Sequence, residues 1–126
     1  MIDTNIVIDL LSKRKEFYDE AAGLFSRVDK KELELSILSL TFVNTNYILT
    51  KLTSVKEARA ILRKLKVLIK TLSLDDKITE LALSDDSFPD FEDELQYYSA
   101  LENQIDVIIT RNKKDYKNSK IAVLTA

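Results

Sequence analysis

The chain is predicted to fold as a single α/β domain over residues 1–126, with a mostly parallel central sheet covered by helices on both faces. Three observations carry that prediction. Segments of helical period alternate with short aliphatic runs along most of the chain. The run DVIIT, 106–110, reads as a buried strand that breaks directly into a polar loop. At 126 residues there is room for one core, and no internal repeat, low-complexity tract or linker divides it.

Met1 and Ile2 form a very short apolar lead, so a first strand here is expected to fall short of the ~5 residues usual for a central strand. Asp3 follows, and Thr4 or Asn5 is placed to cap a helix whose apolar side holds Ile6 and Leu10. Residues 17–28 repeat Phe17, Ala21, Leu24, Phe25 and Val28 at helical spacing. A turn at Asp29, Lys30 and Lys31 closes that helix, and 33–38 reads as the second strand. The run TFVNTNYILTKL, 41–52, predicts a helix with Val43, Tyr47, Ile48 and Leu52 facing inward. Ser54 followed by Glu57 matches a capping box that opens a helix through Ala58, Ile61, Leu62 and Leu65.

Residues 67–74 are aliphatic and β-branched enough to predict a strand, and Asp75 and Asp76 begin another helix carrying Ile78, Leu81 and Ala82. The stretch 85–90 holds the only proline and reads as a loop. The helix after it is expected to bury Phe91, Leu95, Tyr98 and Leu101, and a last strand at 121–124 completes the order. Phe17, Tyr18, Tyr47 and Tyr97 read as core residues, with contact to a partner protein as the alternative.

Composition narrows the chemistry. With 45% hydrophobic and 32% charged residues the chain is of ordinary globular type. No apolar run reaches the roughly 20 residues needed to span a bilayer, and no basic-then-apolar leader opens the chain, so the expectation is a cytoplasmic protein with no membrane contact. There is no cysteine and no histidine, which excludes disulfides, thiolate or imidazole zinc sites, and Ser-His or Cys-His catalysis. The single glycine, Gly23, lies inside a helical pattern, so neither a P-loop nor a dinucleotide-binding turn is available. A net charge of −2 argues against coating nucleic acid by bulk attraction, although local basic clusters remain at Lys30 with Lys31 and at Arg111 with Lys113 and Lys114.

In a parallel sheet the carboxyl ends of the strands and the helix starts after them open on one edge. That topology brings together Asp3, Asn44, Asp93 and Asp115. Carboxylates gathered there repel one another unless a cation sits among them, and an all-oxygen donor set suits magnesium or manganese. Each acid also has a simpler reading. Asp90, Glu92, Asp93, Asp75 and Asp76 all favour helix N-termini by cap and dipole, and Asn112 and Asp115 are ordinary turn residues.

The segments Asp3-Thr4-Asn5, Asp90-Phe91-Glu92-Asp93 and Thr110-Arg111-Asn112-Lys113-Lys114-Asp115-Tyr116, in this order and spacing, resemble the PIN-domain family. Within it they are most similar to the VapC-type ribonuclease toxins of toxin–antitoxin pairs, and the likeness covers nearly the whole chain. It implies metal-dependent hydrolysis of RNA phosphodiesters, with Asp3, Asp93 and Asp115 as catalytic, magnesium- or manganese-binding acids and, of Asp90 and Glu92 beside them, Asp90 as the further metal ligand. It also implies that Thr4, Asn5, Thr110 and Asn112 orient the acids or bound water. Arg111, Lys113 and Lys114 would meet the RNA backbone, Arg111 alternatively pointing back to a carboxylate. The implied partners are RNA and a small antitoxin that covers the acidic cleft; a symmetric homodimer is the default assembly.

One departure from the pattern is specific. The family usually carries a glutamate in the helix after the second strand, as T-x-x-E, and here Thr41-Phe42-Val43 is followed by Asn44. An amide oxygen still coordinates a hard cation or holds a water, with one negative charge fewer. Asn44 therefore keeps open an alternative, a catalytically inert PIN-like module for binding or assembly. A phosphoacceptor domain of the response-regulator type fits less well, because Leu74-Asp75-Asp76 leads straight into a helix.

Overall fold

The computed structural model describes residues 1–11, 23, 26–28, 30 and 34–125. In order, the elements are α1 (Thr4–Leu11), β1 (Ser36–Leu38), α2 (Ser39–Leu52), α3 (Val55–Leu68), β2 (Lys70–Leu72), α4 (Asp76–Leu83), α5 (Phe91–Glu102), β3 (Val107–Ile109), a 3-10 helix (Lys113–Tyr116) and β4 (Ala122–Leu124). Most of the helix expected over 17–28, including Phe17 and Tyr18, lies outside the described residues, as do Asp29, Lys31 and Leu33.

Among the described residues every strand pairing is parallel: β1 with β2 and β3 with β4, each over three residues. Ile2 joins the two pairs. It bridges in parallel to Ile109, and its N–H donates to the Ser36 carbonyl at 3.1 Å. Asp3 N–H donates to the Ile109 carbonyl and Ile109 N–H to the Met1 carbonyl, both at 2.9 Å. The order across the sheet is therefore β2, β1, the Met1–Asp3 backbone, β3, β4. The chain's first segment is central, and the order reverses on either side of it. Parallel α/β sheets open their ligand crevice at the carboxyl end of the strands at such a reversal. Asp3 is the residue that stands there.

Both faces are covered. On one, Leu38, Leu72 and Ile108 pack with Ile78 and Ala82 of α4 and Leu95 and Ala100 of α5. On the other, Ile2, Ile37 and Ile69 pack with Val7 of α1 and Leu65 of α3. Helix starts follow local chemistry. Ser54 Oγ accepts from Glu57 N–H at 3.1 Å, as the capping box predicts, and Asp75 Oδ1 accepts from Ile78 N–H at 2.9 Å. At α1 the cap position falls to Asp3 rather than to Thr4 or Asn5, because the Asp3 carbonyl accepts from Ile6 and Val7.

Three expectations are corrected. The strand at 67–74 shrinks to Lys70–Leu72 because α3 runs on to Leu68, which leaves Val67 85% exposed. In α2 the inward face is not Val43, Tyr47 and Leu52, which are 65%, 63% and 62% exposed, but Thr41, Thr45 and Leu49. Two threonines at i and i+4 hide that face from a count of apolar residues. In α5 Phe91 and Leu101 are exposed and Tyr98 is half-buried, while Glu94, Leu95, Gln96, Tyr97, Ser99 and Ala100 are buried. That helix lies across the sheet centre, so polar residues are enclosed with apolar ones.

The α2 correction is checked by urea unfolding. Leu49→Ala is expected to cost about 2–5 kcal/mol as a buried truncation. Val43→Ala should stay within about 0.5 kcal/mol as a surface change. Equal costs would restore the apolar-face reading.

Candidate active site

The carboxyl edge of the sheet opens into a cleft of about 520 Å³ lined by Asp3, Thr4, Asn5, Ile8, Val43, Asn44, Tyr47, Ile48, Asp90, Glu92, Asp93, Asn112 and Asp115. Five of these are carboxylates, and none is lysine or arginine. Four chain segments meet here: the α1 start, α2, the cap and first turn of α5, and the loop with its 3-10 helix after β3.

Asp3 is the most enclosed of the acids. Its Oδ2 accepts from Thr110 Oγ1 at 2.7 Å, and its Oδ1 accepts from Gln96 Nε2 at 3.1 Å. Thr110 Oγ1 in turn accepts from Asn112 N–H at 3.0 Å, which ties the loop after β3 to the same carboxylate. Both donors to Asp3 are neutral, so they orient its carboxylate without cancelling its charge.

Asp90 caps α5, its Oδ1 accepting from Asp93 N–H at 3.1 Å. Asp93, one turn in and buried, accepts at Oδ1 from Tyr116 Oη at 3.1 Å. Burial first, then the charges of Asp3 and Asp90 and finally that of Asp115, push the Asp93 carboxyl up to about 7, against the opposing effect of the Tyr116 hydrogen bond. Burial and the same charges, Asp3 and Asp93 foremost, raise the Tyr116 phenol well above its ordinary value, so the phenol stays a donor. Across the cleft, Glu92 Oε1 accepts from Thr4 Oγ1 and from Asn44 Nδ2, each at 3.0 Å, and Thr4 Oγ1 also lies 3.1 Å from Thr41 Oγ1.

Of the residues expected from sequence, Asp3, Thr4, Asn5, Asn44, Asp90, Asp93, Asn112 and Asp115 line one cleft, and Thr110 stands behind Asp3. Arg111 is half-buried outside the lining, and Lys113 and Lys114 line a separate concavity with Tyr116, Lys117, Ser119, Ile121 and Val123. Gln96 and Tyr116 are the site residues that sequence reasoning passed over, and Glu92, which it placed beside the site acids but behind Asp90, lines the cleft with those acids. Glu92 and Gln96 are four apart on one helix and Gln96 is three beyond Asp93, so helical spacing placed all three on adjoining parts of one face. Tyr116 follows Asp115 directly but carried no signal of its own.

The donor chemistry fits a hard divalent cation: oxygen ligands only, high negative charge density, and an acid whose carboxyl is pushed up to about 7 by burial and by its acidic neighbours. Among the described residues no three acids are already gathered at ligand distances.

Comparison with known proteins places this geometry. The family model for the PIN domain matches residues 1–114. The chain belongs to the PIN-domain family. Its fold is similar to that in the crystal structure of VapBC2 from Rickettsia felis bound to a DNA fragment from their promoter, with a TM-score of 0.73 at 16% identity, over 100% of this chain and 97% of that one. No curated protein sequence matches the chain. No helix among the described residues is long and apolar enough to cross a membrane.

The raised Asp93 carboxyl gives a signed pH dependence. The folded state holds a proton that the unfolded chain has released, so in chelator-treated protein this stability is present at low pH and is lost as pH rises from the ordinary carboxylate range to about 7. Melting temperature measured from pH 5 to pH 8 should fall, and Asp93→Asn, neutral throughout, should flatten the fall. A parent and variant with parallel profiles would contradict the assignment.

Proposed function

We propose that this chain is a divalent-metal-dependent endoribonuclease and the toxin of a toxin–antitoxin pair. The observation that carries the reading is the cleft itself: five carboxylates at the sheet's reversal point with no lysine or arginine among the described lining residues, in a member of the PIN-domain family. Asp3, Asp93 and Asp115, with Asp90, would hold magnesium or manganese. The ion supplies charge stabilisation at the phosphate and activation of water for attack on phosphorus.

The protein's own residues supply placement. Thr110 and Gln96 fix the Asp3 carboxylate, and Tyr116 fixes one oxygen of Asp93. Asn5 and Asn112 line the cleft with neutral amides, able to hold water or a phosphate oxygen without adding charge. Lys113 and Lys114, exposed just outside, supply phosphate contacts that position the strand without reading its sequence, while Arg111 is half-buried beside them. Selectivity then comes from RNA shape and unpaired loops.

The partner reading rests on the likeness to a toxin–antitoxin complex. A small antitoxin would cover the cleft, and the exposed Val43 and Tyr47 on its rim give such a partner apolar surface to bury. The working assembly is a cytoplasmic homodimer before the antitoxin binds. The inert-module reading has its own support in Asn44 and in the spread of the acids among the described residues.

Cleavage of a fluorescently labelled, loop-containing RNA decides between them. With millimolar magnesium or manganese the parent should cleave, chelator should stop it, and Asp3→Asn and Asp93→Asn should each lose more than the ~100-fold that removal of an outer-shell partner causes. No cleavage with either ion, by protein shown to be folded and free of antitoxin, would hand the case to the inert module.

A further inference from the structure

We infer that Glu92 is a cation-facing carboxylate of this cleft, delivered from α5 and held in place by Thr4 and Asn44, which act as positioning residues; the inference rests on the metal-dependent reading above. Three observations support it.

First, the partners of Glu92 come from two other elements. Thr4 Oγ1 and Asn44 Nδ2 both donate to Oε1 at 3.0 Å, across 88 and 48 residues of sequence. A carboxylate present only to favour the α5 N-terminus needs neither of them, because the helix dipole acts on it wherever it lies in the first turn. Second, both donors fall on one oxygen. Among the described residues Oε2 takes no hydrogen bond, while the side chain lines the cleft. Third, the partners are a hydroxyl and an amide. A lysine or arginine would have neutralised the charge, whereas these donors aim it and leave it intact.

The same geometry gives Asn44 a physical reason. A carboxylate at position 44 would face Glu92 across hydrogen-bond distance, and two such groups cannot both stay ionised without a cation between them. An amide at 44 turns that repulsion into a donor. The pair therefore carries one negative charge at this corner of the cleft, and the charge arrives on the late helix instead of the early one.

Manganese titration by calorimetry reads the claim without any activity. In Glu92→Gln, which keeps an acceptor oxygen for both donors, manganese affinity should fall by about 100-fold or more, and in Asn44→Ala, which removes only an orienting partner, by about tenfold, the low end of an outer-shell loss. The double variant Asn44→Glu with Glu92→Gln moves the charge back to the early helix and should recover affinity to within about tenfold of the parent, measured against that ~100-fold loss. Unchanged manganese affinity in folded Glu92→Gln, beside its loss in Asp3→Asn, would overturn the role of Glu92 while leaving the metal site standing. Failure of the parent to bind manganese at all would overturn the metal-dependent reading and this inference with it. Should Glu92→Gln not fold, the folded double variant carries the test, and affinity as weak as that of Asp3→Asn would refute the shared corner.

Discussion

The structure depends on where the Asp3 carboxylate is held. Its backbone is fixed by the central pairing of the sheet, N–H to the Ile109 carbonyl, and its own carbonyl receives the first bonds of α1. Its side chain cannot turn away, because Thr110 and Gln96 each take one oxygen. A buried carboxylate held this way is stabilised by donors that each contribute about 1.5–3 kcal/mol when the acceptor is charged. They come from the end of β3 and from α5, so the same two bonds that satisfy Asp3 also set those elements against α1. Fold and site share one set of contacts.

Among the described residues, those that line the cleft do not cancel the charge. Asp3, Glu92 and Asp93 are all contacted by hydroxyls or amides, and the acids around them raise the cost of ionising Asp93 instead of relieving it. Leaving buried charge unpaired is costly. On the proposed reading, a cation from solution would offset that cost. The arrangement also explains why α5, the most enclosed helix, buries Asp93, Glu94, Gln96 and Ser99 beside Leu95 and Tyr97: one end of it belongs to the cleft and the rest to the core.

How much of this was legible in the sequence varies by element. The helix starts at Ser54 and Asp75 were readable, because a cap is a local bond between residues three apart. The acids and their order were readable through the family pattern, and the parallel, doubly covered sheet through the alternation of elements. The inward face of α2 was not, since Thr41, Thr45 and Leu49 form it while the more apolar Val43 and Tyr47 face solvent at the cleft rim. Strands of three residues are too short to show a period, so the run at 67–74 was assigned by composition and lost to the helix before it. Glu92 was legible only as an acid beside the site, ranked behind Asp90, and Gln96 only by its place on the same helix face, because their partners lie 48, 88 and 93 residues away.

On the proposed reading, the five acids would form one cation site at the reversal point of the sheet. Paramagnetic broadening by substoichiometric manganese, read residue by residue in the amide spectrum of the isotopically labelled protein, tests it most directly. Early loss of the Asp3, Thr4, Asp93 and Asn112 signals is expected, with Asp75 and Glu102, in a separate concavity that also holds Lys70 and Lys77, affected late. Broadening that begins in that second concavity, or that spreads evenly over exposed acids, would overturn the single cation site.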